Sequence, residues 1–175
     1  MNDTSSPRCV IVMGVSGSGK TTVGLTMAER WGDEFLEADE LHSANNVQKM
    51  AGGIPLGDDD RWPWLRAVGE RLRDAAIANR RTVTACSALK RDYRDLLREY
   101  VPTAFFVELD GPVDVVSERV LSRHHQYMSA SLLQSQYATL EPLEPDERGL
   151  RIDATLGVEE IVAVVERALI GRSPL

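Results

Sequence analysis

With 175 residues, 20 basic against 27 acidic side chains and a formal charge of −7, the chain suffices for one hydrophobic core and argues against a general nucleic-acid binder. Apolar residues make up 43% and charged residues 27%, a globular balance, and no apolar run approaches the ~18 residues of a membrane-spanning helix. The two cysteines, Cys9 and Cys86, lie in apolar runs and are expected as buried thiols of a reducing compartment, not as a disulfide framework. The polar start, Met1 to Pro7, lacks the apolar stretch of a secretion signal, so the expected location is the cytoplasm.

In chain order, Cys9 to Met13 is a continuous apolar run, as expected for a strand covered on both faces. Gly14 to Gly19 reads as a loop and Lys20 to Trp31 as a helix. Phe35 to Ala38 is a short second strand. Asn45 to Met50 predicts a short helix, broken by Gly52-Gly53-Ile54-Pro55. Leu65, Val68, Leu72, Ala75 and Ala76 recur at helical spacing and predict a long amphipathic helix. A third strand over 81–86, a helix over 91–100 and a fourth strand over 104–109 follow. Val113, Val116 and Val120 mark another helix, Leu150 to Ile152 an edge strand, and Ile161, Val165, Ala168 and Leu169 a last helix. Strands alternating with helices imply a parallel sheet with helices on both faces, whose ligands bind beyond the carboxyl ends of the strands. No linker divides the chain, so residues 1–175 are expected to form a single domain.

The loop after the first strand, Gly14-Val15-Ser16-Gly17-Ser18-Gly19-Lys20-Thr21, fits G-x-x-x-x-G-K-[ST] at every fixed position. Glycines let successive backbone amides face phosphate oxygens, and the helix N-terminus adds partial positive charge. Lys20 can reach the β- and γ-phosphates, and Thr21 can join a Mg²⁺ shell, with Thr22 beside it. ATP or GTP is the expected ligand of this loop. The expected fold is therefore α/β: a three-layer P-loop nucleoside-triphosphatase fold with a five-stranded parallel sheet and helices on both faces. No N-K-x-D segment of a GTPase switch is present, and the chain is short for a motor ATPase. A small kinase is the remaining architecture.

The segments Asp39-x-x-His42, Asn46-x-x-Lys49-Met50, Gly53-x-Pro55-Leu56-x-Asp58-Asp59-Asp60-Arg61-x-Pro63-Trp64-Leu65, Cys86-Ser-Ala-Leu-Lys90-Arg91-x-Tyr93-Arg94-Asp95-x-Leu97-Arg98 and Leu132-Leu133-x-Ser135-Gln136 follow the phosphate loop in that order. This succession resembles the gluconate kinase family over nearly the whole chain. It departs from the family in two places. Ala38 precedes Asp39 where the family has glycine and aspartate, and Gln126-Tyr127-Met128-Ser129 stands where the family often has His-Phe-Met-Pro, with His124 and His125 just before. The resemblance implies phosphorylation of D-gluconate by ATP to 6-phospho-D-gluconate, and a homodimer. A kinase for another small polar acceptor, shikimate-like or a nucleotide, and a nucleotide-binding protein without turnover are the alternatives.

Candidate roles follow. Asp39, after the second strand, can accept or orient the acceptor hydroxyl proton, or cap a helix. His42, one turn on, is a candidate substrate contact or a packing residue. Of Asp58, Asp59 and Asp60, one is expected to cap the helix that follows. Arg61 offers a planar fork for a carboxylate or polyol. Lys90, Arg91 and Arg94 are candidates for the carboxylate pocket, with Lys90 and Arg94 read as one helix face and Asp92 and Asp95 as competing ion-pair partners. Arg119 and Arg123 are expected to reach the ATP phosphates as part of the catalytic set with Lys20 and Asp39. Gln136 is a candidate contact to either ligand. The polar stretch around 123–131 is the expected lid.

Overall fold

An apolar run such as Cys9–Met13 is stable as a strand only when both of its faces are covered, and its alternate residues do go to different layers. The computed structural model describes residues 7–122 and 130–170. Strand β1 (Cys9–Met13) lies in a five-stranded sheet with β2 (Glu34–Glu37), β3 (Thr82–Ala85), β4 (Phe105–Asp110) and β5 (Gly149–Asp153). The spatial order is β2-β3-β1-β4-β5, and every pairing is parallel.

Helices α1 (Lys20–Trp31) and α7 (Val158–Ile170) cover one face. There Val23, Met27, Ile161, Val162 and Val165 meet Val10, Val12, Phe105 and Val107. Helices α3 (Asp58–Ile77) and α4 (Arg91–Tyr100) cover the other, where Leu65, Val68, Leu72, Tyr93 and Leu97 meet Cys9, Ile11, Met13 and Phe106. The period-two division of β1 between the layers is the physical content of its unbroken hydrophobicity. Helix α2 (Ala44–Ala51) follows a 3₁₀ turn at Ala38–Leu41. Helices α5 (Val113–Ser122) and α6 (Ala130–Thr139) build a third cluster, with Val116, Val120 and Leu133 packed on Val15 and Leu89.

The predicted strands and helices are all present, with bounds moved by a few residues. β2 starts at Glu34 instead of Phe35 and ends at Glu37, so Asp39 sits on the 3₁₀ turn. α3 begins at Asp58, which places all three aspartates in its first turn and Pro63 inside it. Asp60 is the capping residue: its Oδ2 accepts from the Gly57 amide at 3.0 Å. Both cysteines are buried and unpaired, and burial pushes each thiol up to about 12. Among the described residues no helix is long and apolar enough to cross a membrane. The expected lid falls mostly on 123–129, outside the described residues, as does Arg123.

Candidate active site

The sheet order reverses around β1, and the loop after β1 opens at the carboxyl edge of the sheet, where an open α/β sheet binds ligands. Gly17 and Gly19 have φ of 79° and 102°, backbone that side-chain-bearing residues adopt at a cost. A Cβ on Gly17 would also collide with Val120 Cγ2. Gly19 has no side chain with which to cap α1, and the first turn of α1 holds no acid. The first amides of the helix and its partial positive charge therefore face the loop. Lys20 opens the helix, with Nζ 2.9 Å from the Val15 carbonyl.

Ser16, Gly17, Gly19, Lys20, Thr21, Thr22 and Asp39 line one cavity. The structure thus joins the expected phosphate residues to the expected acceptor aspartate. Gly14, Val15 and Ser18 stand behind that wall. The Gly14 amide donates to the Ser87 carbonyl at 3.3 Å, Val15 is core, and the Ser18 hydroxyl is buried without a partner among the described residues. Thr21 Oγ1 donates to Glu37 Oε2 at 2.7 Å. Burial raises the Glu37 pKa, and the bond from Thr21 opposes the rise. Glu37 went unread in the sequence, although a carboxylate ending a strand at the ligand edge was visible there.

Asp39 is held from below. Trp64 Nε1 donates to the Ala38 carbonyl at 2.7 Å, and the His42 ring stacks on Trp64 with centroids 4.2 Å apart. His42 Nε2 lies 3.8 Å from Asp39 Oδ1, and its Nδ1 is 3.3 Å from Asn46 Nδ2. Burial holds the imidazole below the usual histidine range; the Asp39 charge opposes this and Arg61 reinforces it. The His42 side chain is 3% exposed while that of Asp39 is 67% exposed. The aspartate is therefore the group presented to the cavity. The structure thus places His42 beneath Asp39 with its ring stacked on Trp64, the packing place that the sequence offered beside substrate contact.

A second cavity lies beside the first, lined by Met50, Pro55, Leu56, Arg61, Leu132, Ser135 and Gln136. Arg61 is 8% exposed, donates from Nε to the Leu56 carbonyl at 3.3 Å, and holds its guanidinium 5.9 Å from the Tyr93 ring centroid. Gln136 Oε1 accepts from the Ser16 amide at 2.6 Å. A third cavity, on the other flank of the loop, is bounded by Gly17, Ser18, Gly19, Thr22 and Val23 with Arg119, Ala154, Leu156, Val158 and Ile161. Arg119 Nη1 donates to the Ala154 carbonyl at 2.8 Å on that wall.

The basic run after β3 is not brought into either acceptor-side cavity. Arg94 is fully buried. Its Nε and Nη2 each lie 2.7 Å from a Glu147 oxygen, and Nη1 donates to the Ala88, Leu89 and Glu141 carbonyls. Arg91 is bound by Asp95, Glu144 and Asp146. Lys90 Nζ pairs with Asp58 at 2.8 Å, and the Tyr93 hydroxyl donates to the same carboxylate. Full burial withholds Arg94 from a ligand, so the expectation that it anchors a ligand carboxylate is corrected; Lys90 and Arg91 are partly exposed, pair with acids of the chain, and line neither of these cavities. Arg94 instead ties the loop after β3, which includes Ala88 at a strained φ of 41°, to the 141–147 segment.

An AAA domain family matches residues 9–143. The thermosensitive gluconokinase of Escherichia coli (strain K12) is 39% identical over 165 residues, covering 91% of this chain and 86% of the relative. The gluconokinase of Gluconobacter oxydans (strain 621H) is 46% identical over 146 residues, covering 83% and 82%. The structure of a gluconokinase from Sinorhizobium meliloti 1021 superposes with a TM-score of 0.86 at 46% identity, over 95% of this chain and 94% of that one. With its phosphate loop, its parallel sheet and these likenesses over most of its length, the chain belongs to the AAA domain family and to the gluconokinases.

Proposed function

We propose that the protein transfers the γ-phosphoryl group of ATP to the primary hydroxyl of D-gluconate, giving ADP and 6-phospho-D-gluconate. The observation that carries this reading is the cavity that Lys20, Thr21 and Asp39 line together, with the Arg61 cavity next to it. The loop amides and Lys20 hold the phosphates and stabilise charge on the transferring group. The acceptor oxygen forms a bond to γ-phosphorus as the bond to the β–γ bridging oxygen breaks. The hydroxyl proton passes to the exposed Asp39 carboxylate, or is oriented by it. Arg61 meets the acceptor carboxylate or its hydroxyls through its planar fork. The nucleoside lies in the cavity bounded by Arg119, Leu156 and Ile161, where a guanidinium over a purine face is favourable.

The oxygens of Thr21 and Glu37 suit a hard cation. Among the described residues no cluster of three metal-binding side chains occurs, in keeping with Mg²⁺ that is held chiefly by phosphates and water. When bound, Mg²⁺ neutralises phosphate charge. We also place the protein in the cytoplasm as a single-domain homodimer, without a nucleic-acid or membrane partner. Its unpaired buried cysteines and its charge of −7 support the compartment and the lack of a nucleic-acid partner. Light scattering on the purified protein tests the dimer.

A coupled assay with ATP and a panel of gluconate, shikimate and nucleoside monophosphates tests the acceptor. Turnover is expected with gluconate. Strong turnover of shikimate with none of gluconate would reject the assignment.

A further inference from the structure

The phosphate cavity and the acceptor cavity touch through one side chain. Ser16 lines the first, Gln136 lines the second, and Gln136 Oε1 accepts the Ser16 amide hydrogen at 2.6 Å. That amide belongs to the loop built to receive phosphate oxygens. Gly14 and Ser18, by contrast, direct their amides to carbonyls of the chain itself, those of Ser87 and Val15. The Ser16 amide is thus filled by a side chain from a distant element, 120 residues along the chain.

The helix that carries Gln136 is firmly seated. Leu133 packs on Val15 and Leu89, Tyr137 Oη donates to the Gly111 carbonyl at 3.0 Å, and the Glu141 amide beyond the helix donates to the Leu89 carbonyl at 2.8 Å. The carboxamide can change partners by rotation about its own side-chain bonds while α6 stays in place.

We propose that Gln136 is a positioning residue that stands in for phosphate at the Ser16 amide and turns to the acceptor when nucleotide arrives. A carboxamide oxygen and a phosphate oxygen compete for the same donor, and the phosphate makes the stronger, charge-assisted bond. The displaced carboxamide already lines the acceptor cavity, where it can donate to or accept from a polyol hydroxyl. Nucleotide binding therefore completes the acceptor site, and linkage makes the effect reciprocal. The coupling half of this inference rests on the proposed reaction; the nucleotide half does not.

The test is calorimetric titration of the wild type, Gln136→Ala and Gln136→Met with the magnesium complex of AMPPNP, and with gluconate in its presence and absence. In the wild type, AMPPNP should tighten gluconate binding by about three- to tenfold, the range of one hydrogen bond. In both variants AMPPNP alone should bind tighter by a similar factor, because its competitor is gone. Gluconate should then bind equally with and without nucleotide. A merely structural Gln136 would lower stability without changing this ratio. Unchanged AMPPNP affinity in the variants, or coupling that persists in them, overturns the proposal. If the wild type neither binds nor phosphorylates gluconate, the acceptor assignment fails, and AMPPNP affinity in the variants alone decides the role of Gln136. Should Gln136→Ala fail to fold, Gln136→Met, which keeps the side-chain volume, carries the test.

Discussion

The cations of α4 and those that face the cavities carry the same charge and have opposite surroundings. Arg91, Arg94 and Arg98 converge on Glu147, Glu144, Asp146 and Asp95. Lys20 and Arg61 line cavities instead, and among the described residues Arg61 forms no ion pair. Charge type therefore says little about role; the availability of an internal carboxylate decides it. A buried cation with its own acid fixes loops, whereas Arg61, held by a backbone carbonyl at a cavity wall, is proposed to keep its charge for an anion.

The largest effect expected from breaking this division is on stability. Arg94→Ala leaves Glu147 buried without its main partner and should cost about 3–5 kcal/mol, read by urea unfolding. A loss below about 1 kcal/mol would mean that the pair is not structural.

Acid should loosen the same network. Burial by itself raises the Glu147 pKa, but hydrogen bonds from Arg94, Arg98 and the Glu144 amide outweigh it and bring the value down to about 2. The folded value lies below the ordinary 4.5, so the stabilisation is present above pH 4.5 and is lost as pH falls toward 2. The loss amounts to roughly 3 kcal/mol. Unfolding free energy measured across that window should fall in the wild type and fall less in Glu147→Gln.

On the open side, Lys20→Ala should lower kcat on the order of a hundredfold while the melting temperature stays near that of the wild type, read by steady-state kinetics and circular dichroism. A comparable fall in stability would move Lys20 into the structural group.

The fold was largely legible because periodicity and the phosphate loop both depend on local sequence. α1 and α4 keep their expected bounds, and Asp39 and Lys20 meet where the strand-end rule places them. The basic run was misread for two physical reasons. Lys90 is the residue before α4, with extended backbone at φ −102° and ψ 154°, so helical i,i+4 spacing does not relate it to Arg94. Asp95, read in the sequence as a competing partner, does pair with Arg91, but Glu144, Asp146 and Glu147, which hold Arg91 and Arg94, lie about 50 residues downstream, and no local pattern reveals that pairing. The acidic composition of 141–147 was the available sign. The stack of His42 on Trp64 depends on tertiary packing, which local sequence does not show.

The most direct test of the division is titration of gluconate, with magnesium AMPPNP present, into Arg61→Met and Arg94→Met, each followed to its melting temperature. Arg61→Met should lose on the order of tenfold in gluconate affinity and melt above Arg94→Met. Arg94→Met should melt early yet bind gluconate like the wild type while folded. A stable Arg94→Met with weakened gluconate binding, beside an unaffected Arg61→Met, would contradict the account.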